Sequence, residues 1–418
     1  MVKKIIFLSF IVSLASCSDS NAEVSKNTDQ VGRPISLAIS TDGKYVITTD
    51  ANKHAYLYSL EDKKVKDLGD GYNPYSAYFV PNTDNYLLQK ENKKVIISDI
   101  NQKTIKEFTP DFIAKEQAIN KDLTIWVGSI TWGDVYKYSI PDMKKKQIYI
   151  SWYMAKNDYN DYWRGNPPNN KIPNGTAIGG GFDFNFLNNI LIATPNNSLV
   201  VYDFDKKKWN KVHKNVLNTM NAIDPNGQFV YTADSGLSGI KYNLNDGAKS
   251  NSALYYPDDN LENISYVQET KDRKKYFYNG LTNFKFIDKD KIIVTFNGKN
   301  QPYLWAFTFD TNKLDWSNNT KWKRPVFFSK NYLPLTKDPL KFVTGNYRDN
   351  TDPFPIVGGY NTTFDTSVEA HKLVMAQANG NGIMVYNYNP KDESLKLDWV
   401  GEPPKAEEKK EEKKGWFW

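Results

Sequence analysis

The sequence predicts an all-β fold, a ring of seven small antiparallel sheets, with eight as the alternative count. Three observations predict it. A strand–turn–strand–turn–strand pattern recurs from Val31 onward at a spacing of about 40 residues. Aromatic residues make up 14% of the chain, with 27 Tyr and 11 Trp, and such residues favour pleated, half-buried strands. The one cysteine, Cys17, precedes the repeats, so no internal disulfide can brace the body. Closure of the sheets on themselves must do so.

Residues 1–16 read as a leader. Met1–Lys4 is basic, and Ile5–Leu14 is an apolar run of 10 residues, too short to span a bilayer, which needs about 20. Leu14, Ala15 and Ser16 come directly before Cys17. This order resembles the lipobox of bacterial lipoprotein precursors. The resemblance implies cleavage before Cys17, a diacylglycerol on its thiol, and attachment to a membrane through acyl chains. Two or three chains make such an anchor durable. Residues 17–30 are polar and free of aromatics, and read as a flexible tether. Ser18 stands where enterobacterial lipoproteins retained in the inner membrane carry Asp, so the resemblance leans toward the outer membrane of a Gram-negative bacterium.

The body, residues 31–404, is a repeat array. In the first unit Ser36–Ser40, Tyr45–Thr49 and Ala55–Ser59 are strands, separated by turns at Thr41–Lys44 and Ala51–Lys53. The second unit places strands at Ser76–Val80, Tyr86–Gln89 and Val95–Asp99. The third has Gln117–Ile119, Thr124–Val127 and Val135–Ser139, and the fourth Phe182–Phe186, Ile190–Ala193 and Leu199–Asp203. Met220–Ile223, Phe229–Thr232 and Gly239–Asn243 form the fifth. Phe284–Ile287, Ile292–Thr295 and Tyr303–Phe307 form the sixth, and Lys372–Met375 with Gly382–Tyr386 the seventh.

This array resembles the blades of a seven-bladed β-propeller. Several third strands end in elements such as Ile97–Asp99 or Val201–Asp203, where WD40 repeats carry Trp-Asp. The usual Gly-His and Trp-Asp pairs are absent, so the resemblance is to divergent WD40-like propellers. Three long spacings, residues 153–174, 257–283 and 327–361, read as insertions on one rim. An eighth blade would use Phe342–Thr344 and Pro355–Val357. Residues 405–418 form a charged run and then Trp416, Phe417 and Trp418, an aromatic tip suited to a partner groove or a membrane interface.

The residues supply no obvious chemistry. His54, His213 and His371 fall in different units. Gly179–Gly181 precedes a strand without a following Gly-Lys-Ser or Gly-Lys-Thr, so it is no phosphate loop. Asn157–Asp161 and Asp349–Asp352 lack the Gly and final Glu of a calcium loop. Neither a cofactor nor a metal is expected. The net charge of +6 is spread without a dense basic block, which argues against nucleic acid.

Interface-forming residue types concentrate in one insertion, at Trp152, Tyr153, Tyr159, Tyr162, Trp163 and Arg164, with a second group at Tyr347 and Arg348. The expectation is a lipid-anchored, non-catalytic scaffold that binds protein partners at the cell envelope. The alternatives are a propeller lactonase or hydrolase using carboxylates in the channel, and a glycan binder using the stacked aromatics.

Overall fold

The computed structural model describes residues 34–130, 135–149, 182–183, 190–193, 199–203, 208–213, 218–234, 238–245, 249–253, 265–270, 273–278, 281–297, 304–312, 333–334, 364–376 and 382–404. Among these lie seven four-stranded antiparallel sheets and one two-stranded pair, each made of strands consecutive in the chain. The first sheet is β1 (Pro34–Ile39), β2 (Tyr45–Asp50), β3 (Ala55–Ser59) and β4 (Lys64–Asp67). The second is β5 (Tyr78–Phe79), β6 (Tyr86–Gln89), β7 (Val95–Ser98) and β8 (Thr104–Phe108), and the third β9 (Glu116–Ile119), β10 (Ile125–Ser129), β11 (Val135–Ser139) and β12 (Lys144–Tyr149). The fourth is β13 (Phe182–Asp183), β14 (Ile190–Ala193), β15 (Leu199–Asp203) and β16 (Lys208–His213). β17 (Asn218–Ile223), β18 (Phe229–Asp234), β19 (Ser238–Asn243) and β20 (Lys249–Ala253) make the fifth. The pair β21 (Ser265–Thr270) and β22 (Arg273–Tyr278) precedes the sixth sheet, β23 (Leu281–Asp288), β24 (Lys291–Asn297), β25 (Leu304–Asp310) and β26 (Leu333–Pro334). The seventh is β27 (Phe364–Ser367), β28 (Lys372–Ala376), β29 (Ile383–Asn389) and β30 (Ser394–Gly401).

First strands lie beside first strands. β1 packs against both β5 and β27, β27 against β23, β23 against β17, and β17 against β13. One apolar cluster joins Leu87 and Val95 of the second sheet to Ile119 and Trp126 of the third. Along these contacts neighbouring sheets follow chain order from the first to the third and from the fourth to the seventh, and the last sheet returns to the first. That return explains how sheets without disulfides cover their apolar faces.

The core is divided among the gaps between sheets. On β2, Val46 packs toward the seventh sheet with Val374 and Val385, while Ile47 packs toward the second with Leu88 and Phe79. β3 does the same, with Tyr56 and Tyr58 on one side and Ala55 and Leu57 on the other. The period of two sends successive side chains to opposite faces, and both faces are covered. The middle strands therefore bury polar side chains too: Thr48 and Thr49 are buried along with their apolar neighbours. Fourth strands are different. The side chains of β4 and β8 are mostly exposed, and Lys64 and Lys66 on β4 blunt an edge that would otherwise recruit foreign strands.

Turns repeat as faithfully as strands. Ser40 Oγ accepts the amides of Lys44 and Tyr45. Asn120 Oδ1 accepts those of Thr124 and Ile125, and Asp224 Oδ1 those of Gln228 and Phe229. Three residue types share one task, a side-chain oxygen that satisfies the turn's inward amides. Gly43 and Gly227 occupy the same place in two of these turns, each at φ 69°, where a side chain would be strained.

Two expectations need adjustment. The first strand of the seventh sheet, β27, lies at Phe364–Ser367, ahead of the Lys372–Met375 segment that the pattern revealed. FDTS has one apolar side chain and gives no strand signal on its own. The 327–361 segment is not wholly an insertion, because Leu333–Pro334 pairs with Trp305 and Ala306 and completes the sixth sheet. Segments 342–344 and 355–357, which the eight-blade count requires, lie outside the described residues.

Candidate functional site

Strand direction defines two ends. In each sheet the second-to-third turn, the start of the first strand and the finish of the fourth strand lie at one end, here the exit end. The first-to-second and third-to-fourth turns lie at the other. The chain enters the body at Pro34 and leaves it after Gly401, both at the exit end.

The connections between sheets one, two and three form a cross-linked rim at that end. Gly71, at φ 78°, allows a tight path into Tyr72–Tyr75. Asn73 is buried and donates from Nδ2 to Gln89 Oε1 at 3.2 Å and to the Ala114 carbonyl at 2.6 Å. Gln89, also buried, donates to the Phe112 and Lys93 carbonyls and accepts the Ala114 amide. These two amides fix consecutive connections to one another, and leaving either unpaired inside the protein would be costly.

On this frame sit aromatic rings under ammonium groups. Lys90 Nζ lies 3.4 Å from the centre of the Tyr72 ring, and Lys115 Nζ 4.1 Å from that of Tyr75. Both tyrosines are half-buried. Lys90 also donates to the Asp70 carbonyl at 2.8 Å, and Lys53 pairs with Glu91. Asp111 receives Lys145 at 2.6 Å and the Tyr138 hydroxyl. Burial alone would push the Asp111 carboxyl up, but the Tyr138 hydroxyl and the Lys145 ammonium hold it below its ordinary value of 3.8. Burial and the neighbouring carboxylate push the Tyr138 hydroxyl up. A lowered carboxyl is a poor proton acceptor near neutrality. The rim thus sets tyrosine rings and ammonium groups side by side.

The far end is more acidic. Asp290, Glu369, Asp392 and Glu393 of the sixth and seventh sheets stand there with Lys289 and Lys391. His371 also lies there, its Nδ1 3.3 Å from the Ile287 carbonyl, whereas His54 is at the exit end, stacked on Tyr56. The two do not converge. Among the described residues no group of three or more His, Cys, Asp or Glu side chains could hold a metal ion. No helix among them is long and apolar enough to cross a membrane.

Every site residue expected from the sequence lies outside the described residues. This holds for Cys17, for Trp152, Tyr153, Tyr159, Tyr162, Trp163 and Arg164, for Tyr347 and Arg348, and for Trp416, Phe417 and Trp418. Sequence reasoning missed the Tyr72–Lys90 and Tyr75–Lys115 pairs. A signal existed: Gly71–Tyr75 is a breaker-rich connection that spends two tyrosines where a turn needs none.

No family model matches this chain, and no curated protein matches it. The β-propeller domain of Cps50 (Swd1) from Myceliophteria thermophila superposes with a TM-score of 0.52 at 8% identity, over 86% of this chain and 98% of that one. Hsv2 of Kluyveromyces lactis aligns over 89% of this chain and 99% of its own at 14% identity, with a TM-score of 0.48. The likeness to the Cps50 domain shows the fold: this chain is a β-propeller.

Proposed function

We propose that this chain is a lipoprotein of the bacterial cell envelope, anchored through acyl chains on Cys17, whose seven-bladed, WD40-like propeller is a non-catalytic scaffold for protein partners. The observation that carries the reading is the seam between the first and last sheets. Asp365 Oδ2 accepts the Ile39 amide at 3.2 Å, Ser367 Oγ donates to the Thr41 carbonyl at 2.6 Å, and Lys372 Nζ donates to the Gly43 carbonyl at 3.0 Å. These bonds make one rigid platform of sheets that begin more than 300 residues apart. Rigid platforms bind partners without a large ordering cost. The lipobox-like Leu14–Cys17 segment supports the anchor.

The test is capture of the tagged full-length chain after cross-linking in cells. The same envelope protein is expected in each replicate, and reversing Asp290 and Asp392 to Lys at the far end is expected to diminish it. If no protein recurs across replicates, the scaffold reading fails. Mass spectrometry of the mature start tests the anchor separately, because a free thiol at Cys17 contradicts it.

A further inference from the structure

The two ends of the ring differ in three independent ways. Both passages of the chain out of the body, before Pro34 and after Gly401, are at the exit end. Sixteen residues lie between Cys17 and Pro34, a reach of about 60 Å fully extended, and eleven between Pro404 and Trp416, about 40 Å. The exit end also carries the exposed Ile113, two residues before Lys115 of the Tyr75–Lys115 pair, and the exposed Val400 at the finish of the seventh sheet. The acidic far end would be repelled by anionic headgroups.

We propose that the exit end faces the bilayer and rests on anionic phospholipid headgroups. Lys90 and Lys115 meet the phosphates, while Tyr72, Tyr75 and Ile113 lie at the boundary with the acyl region. Cys17 and the Trp416–Trp418 segment hold this end down at two points. The inference rests on the lipid-anchor reading above and adds an orientation to it. Tyrosine and tryptophan suit this depth because their rings are apolar and their polar atoms stay wet. Lysine contributes through its charge and its long apolar stem. The far end is then left clear for protein partners.

Two labels on one strand decide the matter. Asn101 and Thr109 flank β8 at the far and exit ends, separated by a five-residue strand whose own rise is about 16 Å. The full chain is produced in a bacterium that acylates lipoproteins. A fluorophore is placed at Asn101→Cys or Thr109→Cys, and each protein is reconstituted into vesicles of phosphatidylethanolamine and phosphatidylglycerol carrying a nitroxide headgroup quencher. The parent chain, with its thiol acylated, is expected to take up no label. Quenching is expected to be severalfold stronger at Thr109→Cys than at Asn101→Cys. The same chain ending at Pro404 is expected to float with the vesicles and lose part of the quenching at residue 109.

Failure to float overturns the anchor reading and the orientation together. Flotation with equal quenching at both labels, or stronger quenching at Asn101→Cys, overturns the orientation alone. Unchanged quenching at Thr109→Cys after truncation overturns the second point of attachment.

Discussion

The indole of Trp126 donates to Gln117 Oε1 at 3.0 Å, and Gln117 Nε2 donates in turn to the Ser76 carbonyl at 2.9 Å. Both side chains are buried, so a single glutamine ties the largest fully buried side chain among the described residues to the neighbouring sheet. Trp126 packs against Tyr138 at 5.5 Å and Phe112 at 5.6 Å between ring centres. Replacing Gln117 by Leu keeps the volume but leaves the indole N–H and the Ser76 carbonyl unpaired. The expected loss is about 2–4 kcal/mol, seen as a lower urea midpoint with an unchanged slope. A midpoint within error of the parent would mean that these bonds contribute nothing net.

Gly43 supports the seam. A methyl group there would overlap the Cβ of Ala370 and would also occupy φ 69°. Gly43→Ala is expected to destabilise by about 2 kcal/mol or more. Adding Ala370→Gly removes the overlap but not the backbone strain, so the double variant should recover part of the loss. Full recovery would show that the backbone conformation costs nothing.

The Lys63–Asp398 pair also crosses the seam, at 3.1 Å, but its side chains are 48% and 28% accessible. Solvent screens such a pair, and Asp398→Asn is expected to change stability by less than about 1 kcal/mol. Thermal melts with and without added salt check this. A larger, salt-sensitive loss would make the bridge a real closure device.

Asp111 gives the acid response a definite sign. Its carboxyl is held below 3.8 in the folded chain, so the contribution from Lys145 and Tyr138 is complete above that value and fades as pH falls below it. Asp111→Asn should lower the melting temperature somewhat at neutral pH, where the contribution is complete, and flatten its further fall with acid in this window. Parallel acid profiles for parent and variant would remove Asp111 from the account.

Much of the architecture was legible because it is local. The strand at Ile190–Ala193 runs between the same residues in the sequence reading and in the structure. The Asp42–Gly43 and Asp224–Gly227 turns carry the residues their geometry requires. What escaped notice is non-local. Nothing local marks Asn73, Gln89 and Gln117 for burial, which follows from carbonyls that neighbouring segments supply. Strand β27 went unread because its partner strand, and not its own composition, defines it.

By itself the sequence determined the repeat: strand lengths, turn chemistry and a spacing of about 40 residues follow from local preferences that each segment carries alone. It also marked Cys17 as set apart from the body. Only the tertiary structure decided which neighbour each face meets and which end of the ring holds Tyr72, Tyr75 and both passages of the chain. Those relationships depend on strands that pass one another after hundreds of residues, and no local preference encodes that distance.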